Sequence, residues 1–182
     1  MSSLQKFHRR TNSAVVVSPF PSLGSGNTTV GYWVSDNSSN KLIVAPMSTE
    51  TTASWGSNGA VRGTTSNTDG LANTNTLVSF GTAAHPAAGY CKYLSTGGYN
   101  TWYMPAKDEI TSMYSNKSVT PFSSSSDAFV ISNSTIRQYY MSSTEKSSSN
   151  FEYRGFSLGD ILYGGYKNQS TYSIRAIRRT NV

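Results

Sequence analysis

A chain of 182 residues with 13% charged side chains, one cysteine and a formal net charge of +6 excludes several classes of protein at once. It is long enough for one well-buried core, it has no apolar run near the ~20 residues a membrane helix needs, and the lone Cys91 rules out an internal disulfide framework or a cysteine metal cluster. Ser, Thr and Asn must supply most of the polar surface, which suits a β-rich, loop-rich protein working outside metabolism.

Residues 1–26 read as an arm. They combine the cations Lys6, Arg9 and Arg10, a β-branched run over 14–17, and a stretch around Phe20 punctuated by Pro19, Pro21, Gly24 and Gly26. No apolar segment follows the basic start, so an export signal is not expected. The body, 27–182, opens with strands over 30–35 and 41–45 joined by the turn 36–40, a hairpin. Residues 47–75 are too polar to assign to elements, and Trp55 is expected to pin them.

Two helices follow. One starts at Pro86, runs to about residue 94 and is closed by Gly97. The other starts near Pro105 and places Ile110, Met113 and Tyr114 at spacings of three and four, with Asp108 and Glu109 in its first turn. Between them, Tyr99, Trp102 and Tyr103 are too much apolar area for an exposed loop and read as an internal staple. Short strands are predicted over 128–132, 138–142, 151–157, 161–166 and 172–177, with turn chemistry at 158–160. Two helices among many short strands define an α+β domain.

The order of motifs carries a resemblance. A Tyr32-Trp33 strand and a Leu42-Ile43 strand precede Asp69-Gly70, Asn73-Thr74, Pro86-Ala87-Ala88 and Cys91. Then come Gly98-Tyr99-Asn100-Thr101-Trp102-Tyr103-Met104-Pro105, Tyr140-Met141-Ser142-Ser143-Thr144-Glu145 and Tyr172-Ser173-Ile174-Arg175. Over about 30–179 this resembles the domain at the C-terminus of a Legionella collagen-like adhesin, a family of unknown function found in bacterial surface proteins and in tailed-phage structural proteins. Met104, Thr101 and Met141 depart from the family's usual Leu, Asp and Trp. The resemblance implies a C-type-lectin-like α+β domain used for display, adhesion or assembly.

The candidate sites are weighed residue by residue. Adjacent carboxylates Asp108 and Glu109 face about 100° apart on a helix, so helix-start capping explains them better than acid–base chemistry. Glu145 is expected to anchor a strand end or pair with a cation such as Arg175. His85 lacks a nucleophile motif for a triad and reads as an exposed or capping histidine just before Pro86, His8 lies in the arm, and Asp36, Asp69, Asp127 and Asp160 form no calcium loop. No catalytic residue, metal or cofactor is expected. Tyr163, Tyr166 and Lys167 around Gly164-Gly165, with Trp55 from the polar region, are the candidate ligand contacts, Lys167 attracting an anionic sugar. Core packing is the competing reading of the tyrosines.

The terminal basic residues fit docking on an acidic protein neighbour better than nucleic acid, since they are not interleaved with aromatics on one element. The expectation is therefore a structural protein located in a tailed-phage virion, a fibre, appendage or decoration subunit. Lys6, Arg9, Arg10 and Phe20 would contact capsid, neck or tail proteins, and the subunit is expected to be a homo-oligomer. A host-surface glycan is the external ligand considered, with neither nucleic acid nor membrane insertion involved. The alternatives are a bacterial surface adhesin domain binding glycans and, behind it, a polysaccharide-active enzyme, which would need two carboxylates facing across a cleft.

Overall fold

The computed structural model describes residues 24–27, 29–37, 40–118, 139–156 and 162–181. The β-branched run over 14–17, the strand expected over 128–132, the turn at 158–160, and Lys6, Arg9, Arg10 and Phe20 lie outside them. The described residues form an α+β domain built on two sheets. In the first, β1 (Gly26–Asn27), β2 (Gly31–Asn37), β3 (Asn40–Val44) and the C-terminal strand Ile177–Asn181 pair antiparallel in that order. The β2–β3 hairpin matches the sequence expectation, with a register shift between Trp33 and Ser35. β1 belongs to this sheet, and the Gly24 N–H donates to the Trp33 carbonyl at 2.7 Å. An arm boundary at 26 therefore cuts through a strand, and the folded body begins by Gly24.

After β4 (Thr51–Thr52), three helices follow rather than two: α1 (Gly70–Ser79), α2 (Pro86–Tyr93) and α3 (Lys107–Ser115). The region 47–75 thus hides the start of a helix. Asp69 caps α1 by accepting from the Ala72 N–H at 3.0 Å, and Thr74 and Thr76 return their hydroxyls to carbonyls four residues back. Pro86 opens α2 as expected, but Gly97 does not close it, since the helix ends at Tyr93 with Leu94 already extended. Gly97, at φ 61°, makes the turn between Thr96 and Tyr99, where a Cβ would stand 2.4 Å from the Thr29 carbonyl oxygen.

The second sheet contains β4, β5 (Tyr139–Glu145), β6 (Asn150–Gly155), β7 (Leu162–Tyr166) and β8 (Ser173–Ile174) in the order β4-β8-β5-β6-β7. Every pairing is antiparallel except β5 with β8. The last segment of the chain, expected as one strand over 172–177, divides at Arg175-Ala176 into β8 and β9 (Ile177–Asn181), which join different sheets.

The aromatic staple lies along β9: Tyr103 and Ile177 exchange backbone hydrogen bonds at 2.8 and 3.0 Å. Trp102, Tyr103 and Met104 are buried, and the Arg178 guanidinium stands 3.6 Å from the Tyr99 ring centroid. Glu109 ties the helices to this staple. Its carboxylate accepts from the backbone N–H of Ala106 (2.9 Å) and of Gly70 (3.1 Å), closing the starts of α3 and α1. It also accepts from the Tyr103 hydroxyl and from Arg179, both at 2.9 Å. Burial and then the neighbouring carboxylate push the Tyr103 hydroxyl pKa up, so it stays a neutral donor.

Candidate functional site

At one end of the second sheet, three loops meet: residues 56–63, the β5–β6 turn and the chain just after β7. Backbone hydrogen bonds stitch them together. Gly56 N–H donates to Lys167 O at 2.9 Å, Gly59 N–H to Ser148 O at 3.0 Å, and Lys167 N–H to Ser149 O at 3.0 Å. Short loops joined this way lose little further entropy when they meet a partner.

Beneath them lies a buried ion pair. Lys167 and Glu145 have side-chain exposures of 0% and 3%, and the Lys167 ammonium donates to the Glu145 carboxylate. Glu145 also accepts the N–H groups of Arg62 and Gly63 at 2.9 Å, and Lys167 donates to Ala60 O at 2.8 Å. A buried charge persists only when paired and hydrogen-bonded, and here the partners are the backbone of loop 56–63 itself. The pair therefore fixes the loop. The Trp55 ring lies 4.7 Å from the ammonium, stacks on Phe151, and donates Nε1–H to Ser142 O at 3.1 Å.

This geometry corrects two sequence expectations and refines a third. Lys167 cannot offer an exposed ammonium to an anionic sugar, because just after β7 its side chain turns under the loop. Trp55 is fully buried and is a pin rather than a ligand contact. Glu145 does end β5 and does form a structural ion pair, with Lys167 as its cation in place of Arg175, which sits after β8, donates to Ala45 O at 2.9 Å and stands 3.9 Å from Glu50. Tyr166 remains open at 55% exposure. The Tyr163 backbone pairs with Tyr153, but its side chain is outside the described residues. The region 47–75 and the β7 turn do come together, through Ala60, Trp55 and Lys167.

The expectation that His85 is exposed or caps α2 is corrected: it stands at the N-cap of α2 but makes no side-chain cap hydrogen bond. It is fully buried with its ring edge-on to Trp55 at 5.4 Å. Its Nδ1 lies 2.9 Å from Trp55 O, a carbonyl that can only accept, so Nδ1 carries the proton and the buried Nε2 has no partner among the described residues. Burial lowers its pKa below the ordinary 6.5; the Trp55 hydrogen bond and Glu145 oppose this, while Arg62 and Lys167 add to it. The folded state thus refuses a proton that the unfolded chain accepts. Stability from this group is complete above 6.5 and is lost as pH falls through the lowered folded value. Between pH 7 and 5.5 the melting temperature should drop, at up to about 1.4 kcal/mol per pH unit, and His85→Gln should flatten that slope. An equally steep slope in His85→Gln would show that other groups cause it.

Three other described groups, Glu109, Glu50 and Cys91, are already engaged. Glu109 serves the helix starts, and the pocket it lines with Asp36 and Asp108 is about 80 Å³, small beside the several hundred Å³ of ligand sites. An open groove of about 370 Å³ runs beside Glu50 and Thr52, but the Glu50 carboxylate is held by the Tyr140 hydroxyl at 2.8 Å. Burial raises the Cys91 thiol pKa, which leaves a small apolar core residue at neutral pH. Among the described residues no group of three or more His, Cys, Asp or Glu could hold a metal ion, and no helix is long and apolar enough to cross a membrane. Compared with known proteins, the chain matches no family model and no curated sequence.

Proposed function

We propose that this chain is a structural subunit of a tailed-phage virion, a fibre, appendage or decoration subunit that displays a C-type-lectin-like domain for assembly or host-surface attachment. One observation carries the reading. Three surface loops are immobilised from below by the Lys167–Glu145 pair, while the Tyr166 ring is left exposed at their edge. Buried charge used to stiffen a surface suits presentation to a partner, because rigid aromatic contacts bind at low entropy cost. The order of sequence motifs supports the family, and the basic segment 1–23 supports attachment to an acidic neighbour in the particle.

The bacterial-adhesin reading shares the displayed surface and differs in where the chain resides. Deleting residues 1–23, which spares the Gly24–Trp33 bond, should leave a folded domain that no longer joins particles. Incorporation at the wild-type level would remove the attachment role from that segment.

A further inference from the structure

Resting on the display reading above, we propose that the outer face of the β6–β7 edge is a binding shelf for an uncharged pyranose, with Tyr166 as platform and Glu152, Lys146 and Asn150 as hydrogen-bonding rim. The register fixes who shares this face. Asn150 pairs with Tyr166 and Glu152 with Gly164, and side chains alternate across a strand, so all four lie on one side. The opposite side is core: a Cβ on Gly165 would stand 2.7 Å from Phe151 and 2.8 Å from Tyr172.

Gly164 adds no side chain to the shelf, which leaves room for Lys146. The exposed Lys146 stem crosses that space, with Cδ 3.0 Å and Nζ 3.5 Å from where a Gly164 Cβ would stand. This sets the ammonium over the residue that faces Glu152. Neither Lys146 nor Glu152 makes an ion pair among the described residues. Tyr166 is two residues along the strand from Gly164, about 7 Å, the reach of one sugar ring with its substituents. The floor is rigid, since Lys146 and Ser147 both donate their N–H groups to Asn150 O, at 2.9 and 3.0 Å.

The charges choose the ligand class. Arg154, two residues along β6 from Glu152 on the same face, has its guanidinium engaged by the Tyr114 ring at 4.0 Å and by Thr111 Oγ1 at 3.3 Å. With Lys167 buried, Lys146 and Glu152 are the one cation and one anion the shelf offers a ligand. A ligand of net charge meets a like charge at one of them, whichever its sign. A neutral vicinal diol meets neither: one hydroxyl accepts from the Lys146 ammonium, its neighbour donates to the Glu152 carboxylate, and both bonds are charge-assisted. The ring's C–H face lies on Tyr166, which is 55% exposed.

The test is saturation-transfer NMR of the full chain with methyl β-galactopyranoside, methyl α-mannopyranoside and methyl β-glucuronide at physiological salt. At least one neutral glycoside should receive transfer on its ring protons, and the glucuronide should receive several-fold less. Tyr166→Ala should abolish the signal, Tyr166→Phe should keep it, and Glu152→Gln should reduce it several-fold. No transfer to either neutral glycoside, an equal signal from the glucuronide, or an unchanged signal in Tyr166→Ala overturns the shelf. The virion reading fails separately, by absence of the chain from purified particles.

Discussion

Replacing Lys167 by methionine should cost about 3–5 kcal/mol, because it strands the Glu145 carboxylate in the interior without its cation. Methionine matches the stem of lysine, so the packing under Trp55 survives and the loss isolates the charge. For a domain of this size the melting temperature should fall by roughly 6–20 °C. Amide exchange should rise most at Arg62 and Gly63, whose N–H groups end on that carboxylate. The double variant Lys167→Met with Glu145→Gln removes both charges and should recover part of the loss, since replacing a whole buried pair is often near neutral. A single variant melting within about 2 °C of the wild type would mean that water reaches the pair in solution, and the loop would not be held as described.

Trp102→Ala should be nearly as damaging, about 3–5 kcal/mol, through the cavity it leaves. The indole is 1% exposed and donates Nε1–H to Tyr99 O at 3.1 Å. Arg178 stands 5.4 Å from its ring and 3.6 Å from that of Tyr99, so truncation also removes part of the aromatic lining of a buried guanidinium. Denaturant titration measures the loss directly. An unchanged midpoint would contradict the staple, whichever neighbours rearranged.

These two residues also show what the sequence could and could not say. Trp102 was legible because three aromatics between a Gly-Gly pair and a proline have nowhere to go but inward. The β2–β3 hairpin, α2 and α3 were legible for the same local reasons, namely alternation, Pro at a helix start and spacings of three and four. Helix α1 was not. Its Asn and Thr residues have weak helix propensity, and its stability comes from the Asp69 cap, the Leu77 contact with the core and the distant Glu109 carboxylate. Asp69 followed by Leu71, Thr74, Leu77 and Val78 was the available signal.

The Lys167–Glu145 pair was illegible for a different reason. The two residues are 22 apart, and they meet only because β6 and β7 fold back in one particular register. Nothing local prefers Lys167 over Arg175 as the partner; strand order decides it. Glu109 was half legible: its first-turn position announced a cap, whereas Gly70 and Arg179, 39 and 70 residues away, came from the tertiary fold. His85 read as an exposed or capping residue before Pro86, and its burial follows from Trp55 and Phe80 closing around it.

The central claim, that this is a virion subunit built for display, is tested most directly by quantitative mass spectrometry of gradient-purified particles whose genome encodes the chain. The account predicts peptides from this chain at a defined number of copies per particle, retained through repeated purification. Complete absence from intact particles, with the protein recovered only from infected-cell lysate or from a bacterial surface, would contradict it.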